Sequence, residues 1–320
     1  MKFRPRNLPL LLGTAVLATV VLIYLSVHPR GLSSFVVQSY ANSAAPLAFA
    51  AIAQTFPVLT GGLDLSIGGI IALTNTLASE LVHGSPLEVI AGIVIVLGVG
   101  AACGAFNGAL ITYGRIQPII ATLASGAIFS GLALFIRPFP GGDVSVELAD
   151  AATGMIFAIF PVCVAAIAAL LWLAGLLLNR TLTGKGIFAA GSAPNAATLS
   201  GLRIDRSIMA AYIMSGIFGA LAGLFLGFQT LSGDATIGVP YTINSIAAVV
   251  IGGLSLRGGR GSLLSGVIGA FALRGIGAVL LFSGSPPLAQ PLLEGMVLIV
   301  AVCAASITLV RQPNRLNVFS

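Results

Sequence analysis

The sequence predicts an all-α, polytopic membrane protein of about ten transmembrane helices. Three observations carry this. The 320 residues are 57% hydrophobic and only 8% charged, where a soluble domain would carry about a quarter charged residues. Several apolar runs exceed the ~18 residues that mark a membrane-spanning helix. The 40 glycines fall largely inside those runs, as in helices that pack closely in a bilayer. No polar stretch is long enough to fold separately, so residues 1–320 read as a single transmembrane domain.

The spans fall at 8–27, 42–60, 66–82, 87–113, 118–136, 154–178, 207–231, 240–256, 262–283 and 290–310. The first follows Met1 to Arg6; it is too long for a signal-peptide core and lacks a small-residue cleavage site. With the N-terminus inside, Lys2, Arg4, Arg6, Arg115, Arg180, Lys185, Arg203, Arg206, Arg257, Arg260, Arg311 and Arg315 all fall on the inner side. Only Arg30 and Arg137 fall outside, and Arg274 lies within a span. The positive-inside rule therefore places both termini in the cytoplasm. The net charge of +6 is accounted for by orientation and implies no nucleic-acid partner.

The second-to-third connection, Thr60-Gly61-Gly62-Leu63-Asp64-Leu65-Ser66-Ile67-Gly68, is the most informative stretch. It sets Asp64 between two apolar segments, with glycines around it and Pro57 before it. A broken helix with a carboxylate at membrane depth is tolerated where protein or a watery cavity satisfies the freed groups. This points to a pathway through the membrane. Asp64 also suits the cap of a helix starting at Leu65, and one residue can do both. Other intramembrane polar residues are Gln54, Asn75, Asn107, Thr122, Asn244 and Arg274. Gln54, Asn107, Thr122 and Asn244 join Asp64 as pathway or gate candidates. Asn107 equally suits an interhelical hydrogen bond, and Arg274 a paired structural role.

Gly100, Gly104 and Gly108 repeat every four residues, as do Gly219, Gly223 and Gly227. Both sets read first as internal packing ridges. Cys103, Cys163 and Cys303 lie in apolar runs without metal-ligand spacing. No phosphate-binding Gly-x-x-x-x-Gly-Lys-Ser/Thr run is present, so the chain has no nucleotide site of its own. His28 and His83 are isolated. No catalytic residues, metal ligands or cofactor site are expected.

The longest inner connection covers about 179–206. Within it Ser192, Ala193, Pro194, Asn195, Ala196, Ala197, Thr198, Leu199, Ser200 and Gly201 predict a short surface helix. Ser192 would cap it, Pro194 open it and Gly201 stop it. A linker, or a helix shaped for a partner's groove, would look alike at this level.

Several segments together carry a resemblance. Leu59 to Gly68, Gly104-Ala105-Phe106-Asn107-Gly108, Pro118 to Leu123, Ala190 to Gly201, Ile246 to Gly253 and Gly258 to Ser262 occur in order from about residue 42 onward. They resemble the permease subunits of bacterial ABC importers for monosaccharides, the ribose/xylose/galactose type, within the branched-chain-amino-acid-permease-like superfamily. The chain departs from that pattern at Thr242, Asn244 and Ala124, where acidic residues and a glycine are usual. The resemblance implies a type II ABC importer-like permease in the bacterial inner membrane. It implies a second permease subunit, a cytoplasmic ABC ATPase that binds ATP-Mg, and a periplasmic substrate-binding protein. It makes Ser192 to Gly201 the ATPase-coupling segment. Nucleosides or branched-chain amino acids are alternative solutes. A rival reading is an ion-coupled secondary transporter using Asp64, with Glu294 near a span end.

Overall fold

A computed structural model describes residues 8–284 and isolated positions between 286 and 299. The span expected at 290–310 lies largely outside the described residues, and Glu294 and Cys303 lie outside them. The chain runs α1 (Leu8–Val27), α2 (Ser34–Leu59), α3 (Ile67–Leu81), α4 (Pro86–Thr112) and α5 (Pro118–Ile136). It continues through α6 (Val146–Thr153), the two-residue strands β1 (Met155–Ile156) and β2 (Phe160–Pro161), and α7 (Val162–Arg180). Then come α8 (Leu182–Ser192), α9 (Pro194–Leu199), α10 (Ile204–Thr230), α11 (Val239–Ile251) and α12 (Leu263–Phe282). Among the described residues, seven helices are long and apolar enough to cross a membrane: α1, α2, α4, α5, α7, α10 and α12.

Two of the expected spans fall short of that length. α3 has 15 residues and α11 has 13, or about 22 and 20 Å of helix against a hydrocarbon core of about 30 Å. The second span begins eight residues earlier than its apolar run, at Ser34. Its polar residues Gln38 and Asn42 are not a loop, because both side-chain amides donate to the Thr153 carbonyl, at 2.9 and 2.7 Å. The sixth span starts late. Its apolar beginning, Met155 to Pro161, folds as an antiparallel hairpin with Phe157 and Ala158 in the left-handed region.

α2 is the axis of the fold. Every residue from Ala44 to Leu59 is buried, and α7, α8, α10, α11 and α12 pack around it. Two prolines, Pro46 and Pro57, lie inside it. Pro46 has no N–H for the Asn42 carbonyl four residues back. The Gln229 side chain on α10 donates to that carbonyl instead.

The glycine ridges are packing surfaces, as their spacing suggests. Gly100, Gly104 and Gly108 of α4 meet Gly216, Tyr212 and Met209 of α10. Gly219, Gly223 and Gly227 of α10 meet Ile70, Ile71, Thr74, Asn75 and Ala78 of α3 and its environs. A methyl on Gly223 would stand 2.7 Å from the Ile71 carbonyl oxygen. α10 is thus clasped between α4 and α3, at distances only small residues allow.

The two ends of the bundle differ. At the α6 end, loops are tied by the Arg137–Glu80 ion pair, a Gly141–Gly233 bridge, and bonds from the Asp143 and Ser145 amides to the Ser79 and Val82 carbonyls. At the opposite end, the end of α8 lies against the C-terminal end of α2 and the 257–261 turn, and α9 packs on α8 and α10.

Candidate functional site

The connection between α2 and α3 is a true break. Gly61 takes a left-handed φ of 84°, and the Pro57 carbonyl accepts from the amides of Thr60 and Gly62. The chain then turns back into the protein, and Asp64 is fully buried. The expected helix start at Leu65 is corrected: α3 begins at Ile67, with Ser66 in the cap position. Asp64 makes the turn before it, its Oδ1 accepting from the Ser66 N–H at 2.9 Å and the Ser66 hydroxyl at 2.6 Å. Such Asp-led turns compete with helix and so delay its start.

The other carboxylate oxygen is held from far away in sequence. Ser215 on α10 donates its hydroxyl to Asp64 Oδ2 at 2.7 Å. The Ser66 hydroxyl in turn accepts from Asn107 Nδ2 on α4, at 2.7 Å. Asn107 Oδ1 accepts from the hydroxyl of Ser125 on α5. Nearby, Thr122 accepts from the Leu65 amide at 3.0 Å while donating to the Pro118 carbonyl at 2.8 Å. Tyr212 reaches the Leu63 carbonyl at 3.4 Å. Three helices, α4, α5 and α10, therefore converge on one loop. Asp64, Ser66, Asn107, Thr122, Ser125 and Ser215 are all fully buried, and the protons run in one direction from Ser125 through Asn107 and Ser66 to Asp64.

No basic side chain joins this hub: among the described residues Arg137–Glu80 is the one ion pair. The Asp64 carboxylate is held by hydroxyls and one amide. Such bonds to a charged acceptor are each worth about 1.5–3 kcal/mol, and a buried group left without them costs as much.

The structure brings together three of the five pathway candidates, Asp64, Asn107 and Thr122. Gln54 stands apart on α2. It is fully buried, and both its side-chain oxygen and nitrogen lack hydrogen-bond partners. Asn244 lies partly buried on α11, and none of the hub bonds goes to it. Arg274 on α12 is paired, but to a phenol. Its Nη2 donates to Tyr241 at 3.0 Å, its guanidinium stands 5.6 Å from that ring, and its Nε is buried without a partner. Asn75 holds α10 to α3, donating to the Gly223 carbonyl at 3.1 Å and accepting from the Asp234 amide at 2.8 Å.

Ser66, Ser125, Ser215 and Tyr212 did not stand out in the sequence. Ser66 lies in the stretch that drew attention to Asp64, and Ser125 is one turn beyond Thr122. Ser215 and Tyr212 carry no such local signal, since each meets the loop across about 150 residues of chain. A second feature lies at the α6 end. There Asn42, Asp150, Thr153, Phe228 and Gln229 line an open cleft of about 280 Å³.

The segment 192–201 forms a short helix, α9, preceded by α8. Pro194 opens it and Gly201 follows its end with φ 82°. Ser192 is not its cap: its hydroxyl donates back to the Phe188 carbonyl at 3.0 Å, closing α8. Ala193 takes the cap position without a side-chain bond. Ala193, Pro194, Asn195, Ala196, Thr198 and Ser200 are exposed, and Leu199 is 91% exposed. Ala197 points inward at 7% exposure.

Among the described residues, seven membrane-length helices and a buried, glycine-flanked break define a polytopic helical membrane protein with a polar hub sealed inside it. The family described as the branched-chain amino acid transport system permease component matches residues 36–302. The chain belongs to this family, which makes it a permease, a transport subunit rather than an enzyme. It is 34% identical over 291 residues to the fructose import permease protein of Rhizobium meliloti, covering 84% of this chain and 77% of that one. It is 32% identical over 296 residues to the ribose import permease protein of Bacillus subtilis, covering 91% and 90%. It is 34% identical over 272 residues to the galactofuranose transporter permease protein of Escherichia coli, covering 83% and 78%. No solved structure matches the chain.

Proposed function

We propose that this permease carries a monosaccharide across the bacterial inner membrane, as one subunit of an ATP-driven importer working by alternating access. The observation that carries the solute class is the likeness, over most of both chains, to three proteins named for fructose, ribose and galactofuranose. In this reading residues 1–320 form one transmembrane domain of type II importer-like architecture. Its ten spans count the short α3 and α11 and a last one at 290–310. Both termini and the α9 end are cytoplasmic, and the α6 end faces the periplasm.

The partners are a second permease subunit, a cytoplasmic ABC ATPase that supplies the ATP-Mg site, and a periplasmic substrate-binding protein. Ser192 to Gly201 is the ATPase-coupling segment. Exposed Ala193, Pro194, Asn195, Ala196, Thr198, Leu199 and Ser200 support that reading, with Leu199 as an apolar anchor. Ala196→Arg should therefore release the ATPase while the permease still inserts, whereas Ala197→Trp strikes the subunit's own packing.

Among the pathway candidates, hydrogen bonding now separates the roles. Asp64, Asn107 and Thr122 have their bonds filled by Ser66, Ser215, Ser125 and nearby backbone, and hold the break. Gln54 is the group with hydrogen bonds still to make. Asn244 stays a candidate by position. The Asp64 geometry disfavours an ion-coupled mechanism, because both carboxylate oxygens are occupied by hydroxyl and amide donors.

The test is mass spectrometry of the solute retained by the co-purified binding protein. A hexose or pentose is expected. A branched-chain amino acid, the solute in the family's description, or a nucleoside would replace the sugar reading. Orientation is tested separately with an impermeant thiol reagent on spheroplasts. Ser145→Cys should label and Ser192→Cys should not; the reverse pattern would invert the topology.

A further inference from the structure

We infer that Gly61, Gly191, Gly258 and Gly259 form a backbone-to-backbone joint that positions the coupling segment on two halves of the membrane bundle at once. This rests on the reading of the chain as an ATP-driven permease, and concerns how movement enters it. Three segments meet here: the end of α2, the end of α8, and the turn between α11 and α12. The Gly259 N–H donates to the Leu59 carbonyl at 2.9 Å. A methyl on Gly191 would run into that carbonyl and the Gly259 amide, and would stand 3.0 Å from the Gly258 carbonyl carbon. A methyl on Gly258 would stand 2.6 Å from the Gly61 amide nitrogen and 3.1 Å from the Gly191 Cα. A methyl on Gly259 would stand 2.6 Å from the Ser192 Cβ. Gly61, Gly258 and Gly259 also adopt left-handed φ, at 84°, 79° and 71°, where side chains are strained.

The consequence is mechanical. Long side chains at such a meeting point would swing between rotamers and absorb a displacement. Backbone in direct contact with backbone has no such slack, and packed interfaces shift between discrete arrangements rather than stretch. Ser192, resting on Gly259, leads within two residues into α9. Leu59 and Gly61 lead into the Asp64 turn and α3. Gly261 and Ser262 lead into α12, whose first turn Ser262 caps through the Leu264 amide. A push on α9 therefore reaches α2 with α3, and α12, as one rigid unit. These glycines are positioning residues; none of them is a solute contact.

The test uses the complete permease–ATPase complex in proteoliposomes. Gly191→Ala and Gly259→Ala should each lower solute moved per ATP hydrolysed by roughly tenfold, a coupling loss of the size networks of this kind carry. ATPase co-purification should stay within about twofold of the parent, because α9's exposed face is untouched. Gly98→Ala, where nothing lies within 4 Å of the added methyl, should leave the ratio unchanged. An unchanged ratio in both joint variants overturns the inference. So does loss of the ATPase from both, which would put these glycines in the docking surface itself. If either variant does not assemble, hydrogen exchange on the parent complex decides. The Gly259 amide should be equally protected without nucleotide and with a non-hydrolysable ATP analogue. Exposure of 257–261 in one state alone overturns the joint. A parent complex whose transport is not driven by ATP would instead sink the underlying reading of function.

Discussion

Asp64 and Gln54 are both buried polar residues within eleven positions of one another, and their surroundings treat them in opposite ways. Asp64 carries the costlier group, a carboxylate, yet Ser66 and Ser215 occupy both of its oxygens. Gln54 carries a cheaper neutral amide, yet neither end of it finds a partner. Depth and charge do not by themselves mark a working residue. A fully bonded group stabilises the fold it sits in. An unbonded one costs about 1–3 kcal/mol, which sets Gln54 apart as the pathway candidate to test. The sequence drew attention to Asp64 because a carboxylate in an apolar run is conspicuous. Gln54, unbonded at both ends of its amide, is the less conspicuous residue that stands out in the structure.

The sharpest way to break this contrast is Asp64→Ala. It leaves three donors facing an apolar void, so the expected loss is on the order of 3–5 kcal/mol, seen as a failure to obtain monodisperse permease in detergent. Asp64→Asn should be milder and still melt lower than the parent. If it melts like the parent but no longer transports, Asp64 belongs with Gln54 and the contrast collapses. Next in size is Asn107→Ala, which removes the amide donor to the Ser66 hydroxyl and the acceptor of the Ser125 hydroxyl. A loss of about 1–3 kcal/mol is expected, with transport by the surviving folded fraction little changed. A transport defect without a stability defect would count against a purely structural hub.

Gln54→Leu should act with the other sign. Removing an unbonded amide should raise stability by about 1–2 kcal/mol, read as a higher melting temperature, while transport slows. Unchanged melting and unchanged transport together would leave Gln54 without a role. The smallest effect concerns an exposed carboxylate that contrasts with both. Glu147 on α6 is held below the ordinary glutamate value by its own backbone N–H and by the Ser145 hydroxyl. A lowered folded value means a contribution present above the unfolded glutamate pKa and lost as pH falls through the folded one. The melting difference between the parent and Glu147→Gln should therefore vanish in acid. A difference that persists there would mean that side-chain shape, not charge, sets it.

What could be read from the chain, and what could not, divides along physical lines. α1 and α5 are legible to the residue, because each is one unbroken apolar run with clear punctuation such as Pro118 and Arg137. The break around Asp64 is legible because glycine, proline and a carboxylate together leave few alternatives. The first turns of α2, before the expected start at 42, are not, since a stretch with Gln38 in it looks like loop and its amide is held by the distant Thr153 carbonyl. The hairpin of β1 and β2 hides inside an apolar run that continues seamlessly into α7. In the coupling segment the helix and its stop are legible, but not the inward turn of Ala197, because a six-residue helix has no period long enough to reveal a buried face. The hub is half legible. Its acceptors are conspicuous, while Ser215 is a small residue in a small-residue helix whose importance comes wholly from where α10 is packed.

Pro46 has a consequence for how the two longest buried helices can move. Because the proline leaves the Asn42 carbonyl open, α10's Gln229 fastens onto the backbone of α2 rather than onto a side chain. A clasp of that kind resists sliding but tolerates tilting, as a hinge pin does. The pair is pinned near its α6 end and joined further along by aromatic contacts, Phe49 with Phe225 and Phe56 with Phe218. Rearrangement between α2 and α10 is thereby confined to a pivot, with the arc growing toward the α9 end. Spin labels near residues 42 and 229 should hold their separation through the ATP cycle, while labels near 59 and 207 change theirs; equal changes at both ends would mean that the helices translate instead.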